Sequence, residues 1–207
     1  MRHMLSFFLI LFITSSLYSK DILAITEDGR KVLLHEDGRW TYVLTENGQD
    51  NGKFVYAKSD GADAYVIARI GTIRFWYNQS KWDMQRLTDG TAEYQFVSKD
   101  GAVYARIISE KLRAPNNLMR EVIEANARKN VDAFEPIEEN EVIINGITTN
   151  RLKVRIQMKG MDLLFLYYYF SNELGTLQLF SYSSLDLFNQ YEDEINEFMS
   201  GIVKEVS

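Results

Sequence analysis

The chain has 207 residues and a formal net charge of −6, from 23 Lys and Arg against 29 Asp and Glu. This acidic balance argues against a nucleic-acid partner, which would need a basic surface to displace counterions. The sequence contains no cysteine, which excludes disulfides, thiol nucleophiles and zinc–thiolate sites. His3 and His35 are the only histidines, so we expect no multi-histidine metal site. We also expect no cofactor.

Residues 1–19 have the features of a secretory signal peptide. A short basic start precedes an apolar run from Met4 to Ile13, three hydroxyl residues follow at positions 14–16, and the segment closes at Ser19. A membrane-spanning helix needs about 20 apolar residues, so a retained anchor is the less favoured interpretation. The pattern predicts cleavage after Ser19, and a periplasmic or otherwise exported protein with no integral membrane span after cleavage.

A small β-hairpin module and a linker are predicted for residues 20–56. Three short apolar runs, Ile22 to Ile25, Val32 to Leu34 and Trp40 to Val43, are separated by two copies of the tetrapeptide EDGR. Asp-Gly between apolar runs favours a tight hairpin turn. Residues 47–52 are polar and rich in turn formers, so we interpret them as a linker to the main domain at residues 57–207.

The first part of the main domain is predicted to consist of strands, and a helix follows it. The strands are expected at residues 64–70, 73–77, 93–98 and 102–109. A helix is expected after Pro115. Its apolar positions recur at helical spacing and predict one buried face, made of Leu118, Met119, Val122, Ile123, Ala127 and Val131.

Two long strands and a second helix complete the domain. Residues 147–157 alternate between apolar and basic side chains, and residues 163–170 are apolar at almost every position. A further strand is expected at residues 177–182. The last helix is expected from Ser184 onward, with an apolar stripe at intervals of three and four residues, made of Phe188, Tyr191, Ile195, Phe198 and Ile202.

Residues 73 to 203 resemble the Mog1/PsbP-like fold, including its bacterial DcrB-type relatives. The likeness rests on residues 73–77 running into Lys81 and Trp82, on residues 102–110, on residues 142–146, and on the closing strand and helix. The segment from Asp28 to Tyr42 is similar to a short DGR module found at the start of exported proteins. The resemblance implies an α+β fold, an antiparallel sheet with two helices packed on it, and an accessory or binding role.

Four glutamates crowd the segment 135–141 around Pro136. Carboxylate oxygens are the ligands that calcium prefers, so the segment is a candidate cation site. The spacing matches no calcium-loop template, and we favour a solvated loop between helix and strand. The residues concerned are Glu135, Glu138, Glu139 and Glu141.

A basic stripe and a group of aromatic residues are the candidate binding residues. Arg151, Lys153 and Arg155, followed by Lys159, could hold an anionic ligand or an acidic partner, or could form an exposed sheet face. Trp76, Trp82 and residues 167–169 could line a groove for an apolar or stacking ligand, or could pack in the core. Trp76, Trp82, Arg151, Lys153, Arg155 and Tyr168 are therefore the predicted binding set.

No catalytic constellation is recognisable. His35 has no identifiable base partner or nucleophile, and Asp28 and Asp37 precede glycine in turns that favour Asp for backbone reasons. The favoured hypothesis is an exported non-enzymatic accessory or binding protein of the cell envelope, with an envelope protein or a small ligand as partner. One alternative is a carboxylate-dependent envelope hydrolase, which needs two acids about 5–9.5 Å apart. The other is a structural component of an envelope complex, docked through the β module.

Overall fold

The computed structural model describes residues 54–205 in full and, before them, the backbone of residues 22–25, 31–34 and 40–43. The chain divides into two compact units, Met1–Val43 and Leu44–Ser207. The predicted signal peptide, both EDGR turns with Asp28, His35 and Asp37, and the linker at residues 47–52 lie outside the described residues.

The first unit contains a three-stranded antiparallel meander. Its strands are β1 (Ile22–Ile25), β2 (Lys31–Leu34) and β3 (Trp40–Val43), in that spatial order. They coincide with the three apolar runs from which the sequence predicts a hairpin module. The run-and-turn pattern is thus enough to locate these strands.

The second unit is built on an eight-stranded sheet. Its elements are β4 (Phe54–Tyr56), β5 (Ala64–Ile67), β6 (Ile73–Tyr77), β7 (Trp82–Arg86), β8 (Tyr94–Ser98), β9 (Tyr104–Glu110), α1 (Asn116–Arg128), β10 (Ala133–Ile144), β11 (Ile147–Met158), β12 (Met161–Asn172), β13 (Gly175–Ser184), α2 (Leu185–Gln190), α3 (Glu192–Met199) and β14 (Ile202–Lys204). The large sheet has the order β4-β10-β11-β12-β13-β9-β8-β7, and β14-β6-β5 form a smaller sheet. All pairs are antiparallel except β4 with β10.

Strand β4 changes the boundary drawn from the sequence. The sequence analysis assigns residues 54–56 to the N-terminal module and its linker. In the structure Val55 pairs with Ile143, and Tyr56 pairs with Ile144, at the edge of the large sheet. The larger unit therefore includes residues that precede position 57. The sequence did not indicate this strand, because a run of three residues is too short to be recognised by itself.

The helices cover opposite faces of the large sheet. Met119 and Ile123 of α1 pack on a cluster that includes Leu152, Val154 and Ile156 of β11. The other face packs against α2, α3 and the smaller sheet, and its core includes Leu164, Leu166, Phe188 and Ile195. The apolar run at residues 163–170 is thus buried on both sides, as expected for a central strand, whereas a simple exposed face for the basic stripe on β11 is not found.

The buried face of α1 is narrower than its apolar stripe. Met119 and Ile123 are buried, whereas Leu118 is 45% exposed and Val122 is 40% exposed. The prediction that all these positions face the sheet is therefore wrong for Leu118 and Val122. Helical periodicity marks an apolar sector, but only the part of it that meets the sheet is covered.

The final helix is broken. It comprises α2 and α3, separated at Tyr191, whose φ of −102° and ψ of 9° lie outside the helical region. Ile202 belongs to strand β14 and pairs with Phe75 of β6. Gly201 permits this return, because Trp76 N–H donates to its carbonyl at 2.8 Å and a Cβ at this position would lie 2.0 Å from the Trp76 carbonyl oxygen.

The acidic segment at residues 135–141 is part of strand β10. Glu135 pairs with Arg155 and Glu139 with Leu152, and the register shifts between Pro136 and Glu138. The expected loop is therefore wrong. Pro136 is accommodated because it adjoins an irregularity in the ladder, where the strand can lack a donor.

Candidate functional site

Trp76 and Trp82 lie near one small cleft but have different environments. Trp82 is buried and packs on Phe198, with ring centroids 4.0 Å apart. Trp76 is half-buried, with the Tyr65 ring 4.8 Å away and the Lys58 Nζ 5.2 Å from its centroid. Trp82 is therefore part of the core, and Trp76 is the one of the two that a ligand could reach.

The cleft beside these tryptophans is almost filled. Its volume is about 10 Å³, enough for about one water molecule. Lys81 Nζ lies 2.6 Å from Glu197 Oε2, and the Ser59 hydroxyl donates to Glu197 Oε1 at 2.7 Å. These contacts occupy the polar atoms that a ligand would use.

The basic stripe on β11 is neutralised by carboxylates. Arg151 pairs with Glu138 at 2.6 Å, Lys153 with Glu192 at 2.9 Å and Arg155 with Asp162 at 3.0 Å. It is therefore neither a bare cationic face nor a simple exposed one. The remaining member, Lys159, lies in the β11–β12 turn with a φ of 52°.

Arg151 and Tyr168, which are buried, belong to a group of polar side chains that we call the polar cluster. It consists of Tyr56, Glu138, Asn140, Arg151 and Tyr168, of which Glu138 is exposed and Tyr56 and Asn140 are half-buried. Asn140 and Tyr168 lie directly opposite Arg151 on the two strands that flank it. Asn140 also donates to Glu138 Oε1 at 2.9 Å. The ring of Tyr56 lies 6.4 Å from that of Tyr168. The pairing register thus places side chains from four neighbouring strands on one face.

Three polar atoms of the cluster are buried and make no hydrogen bond of good geometry, although the Tyr168 hydroxyl lies close to the Tyr56 hydroxyl and the Arg151 guanidinium. They are Nε of Arg151, the hydroxyl oxygen of Tyr168 and Oδ1 of Asn140. A native protein leaves few such atoms, because each one costs roughly 1–3 kcal/mol. A concentration of three in adjacent residues on one sheet face is therefore unusual, and a bound water or a bound polar group would satisfy it.

The pKa shifts in the cluster move each group away from neutral pH. Burial raises the pKa of the Tyr168 and Tyr56 hydroxyls. Burial alone would raise the pKa of the Glu138 carboxyl, but the hydrogen bond and charge of Arg151 outweigh it, so this pKa is lowered. Burial alone would lower the pKa of Arg151, but its neighbours Tyr168 and Glu138 outweigh it, so this pKa is raised. At pH 7 the cluster therefore contains an ion pair and neutral tyrosines.

Sequence reasoning identified Arg151 and Tyr168, noted Glu138 only as part of a candidate cation site, and missed Tyr56 and Asn140. Glu138 and Asn140 are two apart and continue into Val142 and Ile144, which alternate into the same face. That alternation is the signal that could have identified them. The four glutamates and Pro136 obscured it, because these residues are depleted in strands.

The glutamates of the acidic segment do not converge on a common point. Glu138 faces Arg151, whereas Glu139 pairs with Arg120 at 3.2 Å and accepts from the Tyr169 hydroxyl at 3.3 Å. Successive residues of a strand point to opposite faces, which separates these carboxylates. Across residues 54–205, no group of three or more side chains of metal-binding type comes together. The helices of this part of the chain are also too short or too polar to cross a membrane.

Comparison with solved structures identifies proteins of similar fold. The chain is similar to cyanobacterial PsbP (CyanoP) from Synechocystis sp. PCC 6803, with 13% identity and a TM-score of 0.51, over 71% of this chain and 95% of that one. It also aligns with PA94, a protein of unknown function from Pseudomonas aeruginosa, at 13% identity and a TM-score of 0.45, over 70% of this chain and 98% of that one. A protein from Bacteroides thetaiotaomicron VPI-5482 aligns at 14% identity and a TM-score of 0.48, over 72% of this chain and 50% of that one.

By sequence, no protein-family model and no curated protein matches the chain. The larger unit nevertheless has the PsbP/Mog1-like fold expected from the sequence. Fold by itself does not assign activity, so the function has to be argued from the site.

Proposed function

We propose that this chain is an exported, non-enzymatic accessory protein of the cell envelope that binds its ligand or partner through the polar cluster. The observation that carries this proposal is the group of three buried polar atoms that lack a well-aligned hydrogen bond beside the Arg151–Glu138 ion pair. Export is proposed from the leader pattern at residues 1–19.

The chemistry of the unpartnered atoms defines what would fit them. Arg151 Nε offers a hydrogen-bond donor, Asn140 Oδ1 offers an acceptor, and the Tyr168 hydroxyl can act as either. A group that combines an acceptor with a donor, such as an amide or a hydroxyl, would satisfy all three. Phe54, which is paired with Val142 at the sheet edge and is exposed, would provide an apolar contact nearby. The cluster therefore favours a neutral polar group over a second charge.

The pKa shifts support recognition in preference to acid–base chemistry. A general acid or base works best when its pKa lies near the operating pH. The pKa of Glu138 is lowered and that of Tyr168 is raised, so both shifts move away from neutrality. Groups held firmly in one protonation state are suited to holding a ligand in a fixed orientation.

The carboxylate-hydrolase alternative has one observation in its favour. Burial raises the pKa of Glu194, and Glu197, three residues further along α3, has a lowered pKa because Lys81 and Ser59 outweigh its burial. Two acids with diverging pKa values are a common catalytic arrangement. The neighbouring cleft, however, holds only about 10 Å³, far below the roughly 300 Å³ of a small-molecule site. This cleft is therefore too small to hold the substrate of a hydrolase.

The test begins with protein isolated from the envelope fraction of its source under native conditions. Native mass spectrometry should show a chain that begins at Lys20 and carries a bound small molecule or a bound protein. Tyr168→Phe and Arg151→Lys should lose at least about ten-fold of that occupancy, because each removes or displaces a hydrogen-bonding group. Circular dichroism establishes that the variants are folded.

Ser181→Ala is the matched control. Ser181 is fully buried on the same sheet face, but its hydroxyl donates to the Tyr104 carbonyl at 3.2 Å and lies outside the cluster. It should keep the bound species. Retention of that species by Tyr168→Phe and Arg151→Lys, or an intact leader in the cytoplasmic fraction, would contradict the proposal.

A further inference from the structure

A second cleft lies between the β5–β6 turn and the β7–β8 loop, apart from the polar cluster. Its volume is about 550 Å³, within the range of roughly 300–1,000 Å³ typical of small-molecule sites. Two arginines, Arg69 and Arg86, line it together with Ile67, Leu87 and Thr88. The cleft therefore combines positive charge with apolar surface.

The two guanidinium groups have no carboxylate partner among residues 54–205. In that part of the chain the arginines at 74, 120, 128, 151 and 155 each lie within 4 Å of an acidic side chain. Arg69 and Arg86 form no such pair, although the whole chain carries an excess of acids. Two arginines left free beside the same cleft can bind one anion jointly, since a guanidinium offers a planar fork of donors to an oxyanion.

The walls of the cleft are fixed before any ligand arrives. Glu93 is buried, and its carboxylate accepts one hydrogen bond from the backbone N–H of Arg69 at 2.7 Å and another from the Ser109 hydroxyl. Leu87 N–H donates to the Glu93 carbonyl at 2.9 Å and closes the β7–β8 loop. The Tyr94 hydroxyl donates to the Ile67 carbonyl at 3.0 Å and ties the two walls together. The Glu93 oxygens are thus engaged with the protein, and the side chains of the arginines are left for a ligand.

We propose that this cleft binds a small organic anion. Arg69 and Arg86 bind its carboxylate or phosphate group, Thr88 donates or accepts one further hydrogen bond, and Ile67 with Leu87 contacts its apolar part. This site is independent of the polar cluster, so either proposal can fail while the other stands.

The test is isothermal titration of the purified protein with three probes: phenyl phosphate, phenylacetate and benzyl alcohol. The first two carry the oxyanion and an apolar ring, and the third carries the ring alone. We expect saturable binding of at least one anion, with a Kd of roughly 0.1–1 mM, and no binding of benzyl alcohol. The better of the two anions identifies whether phosphate or carboxylate is preferred.

Arg69→Gln and Arg86→Gln should each weaken binding of the preferred anion by about ten-fold or more, since each removes a charged hydrogen-bond donor. Arg113→Gln is the matched control, because Arg113 lines a different open cleft of about 570 Å³ and also forms no ion pair within residues 54–205. Unchanged binding by the control supports the proposal. Equal weakening in all three variants, loss in the Arg113→Gln variant alone, or no saturable binding of either anion would overturn it.

Discussion

Arg151 and Glu138 form an ion pair across strands β10 and β11, with Nη1 of the arginine 2.6 Å from Oε1 of the glutamate. Only 9% of the Arg151 side chain is exposed, against 43% of the Glu138 side chain. The buried cation therefore depends on a carboxylate that still touches solvent. Because of this asymmetry, the loss of unfolding free energy on replacing Glu138 measures how much the ion pair stabilises the protein.

Replacing Glu138 with Gln should lower the free energy of unfolding by about 1–2 kcal/mol, because a buried charge loses its partner while solvent screens part of the effect. The measurement is the urea midpoint at pH 7 with an unchanged slope. Asp162→Asn is the control, since its pair with Arg155 is solvent-exposed, and it should not shift the midpoint detectably. Equal effects of the two substitutions would contradict the assignment.

The same pair should make stability depend on pH. The pKa of Glu138 in the folded protein is lowered from its usual value of 4.5. Its contribution is therefore complete above pH 4.5 and is lost as the pH falls through the lowered pKa, where the folded state takes up a proton. The difference in unfolding free energy between wild type and Glu138→Gln, measured from pH 7 down to pH 3, should shrink over that window. A difference that stays constant to pH 3 would show that Glu138 does not titrate in this way.

The helix α1 offers a test of which face is buried. Ile123→Ala should lower the free energy of unfolding by about 2–5 kcal/mol, because it leaves a cavity against the sheet. The neighbouring Val122→Ala should change it by less than about 0.5 kcal/mol, since Val122 is 40% exposed and does not belong to the buried face. Both values come from urea denaturation. A large loss for Val122→Ala would mean that the helix is rotated from its position here.

The close approach of the Gly201 and Trp76 backbones can be tested by comparing two glycine substitutions. A Cβ on Gly201 would lie 2.0 Å from the Trp76 carbonyl oxygen, a backbone atom that cannot rotate away. Gly201→Ala should therefore destabilise the protein by about 1–3 kcal/mol or more. Gly61→Ala is the control, because its nearest neighbour is a movable Asn78 side-chain nitrogen at 3.3 Å. Thermal unfolding of both variants decides whether β14 returns along β6 as described.

Sequence patterns located most elements of this fold but not all of their partners. Strand β11 was recognisable because Leu152, Val154 and Ile156 alternate with basic residues, and that alternation is a property of the strand alone. The break at Tyr191 was not recognisable, because the apolar stripe continues through it. The end of the helix at Met199 was not recognisable either, because Ile202 continues the stripe but pairs with β6 in strand β14. Long-range pairing is not encoded in local periodicity.

The candidate site, too, was visible in the sequence only in part. The basic stripe was visible in the sequence, but its carboxylate partners Glu138 and Glu192 come from other elements. Arg69 and Arg86 attracted no notice, since isolated arginines 17 residues apart form no motif. Only the folded structure shows that they line one cleft.

The most direct test of the account is the unfolding free energy of Tyr168→Phe in urea, with the protein free of any bound species. The Tyr168 hydroxyl is fully buried and makes only poorly aligned contacts with Tyr56 and Arg151, so its removal should leave stability unchanged or raise it by up to about 1 kcal/mol. A loss of more than about 1 kcal/mol would mean that the hydroxyl is already satisfied in the free protein, and the polar cluster would then have no atoms reserved for a ligand.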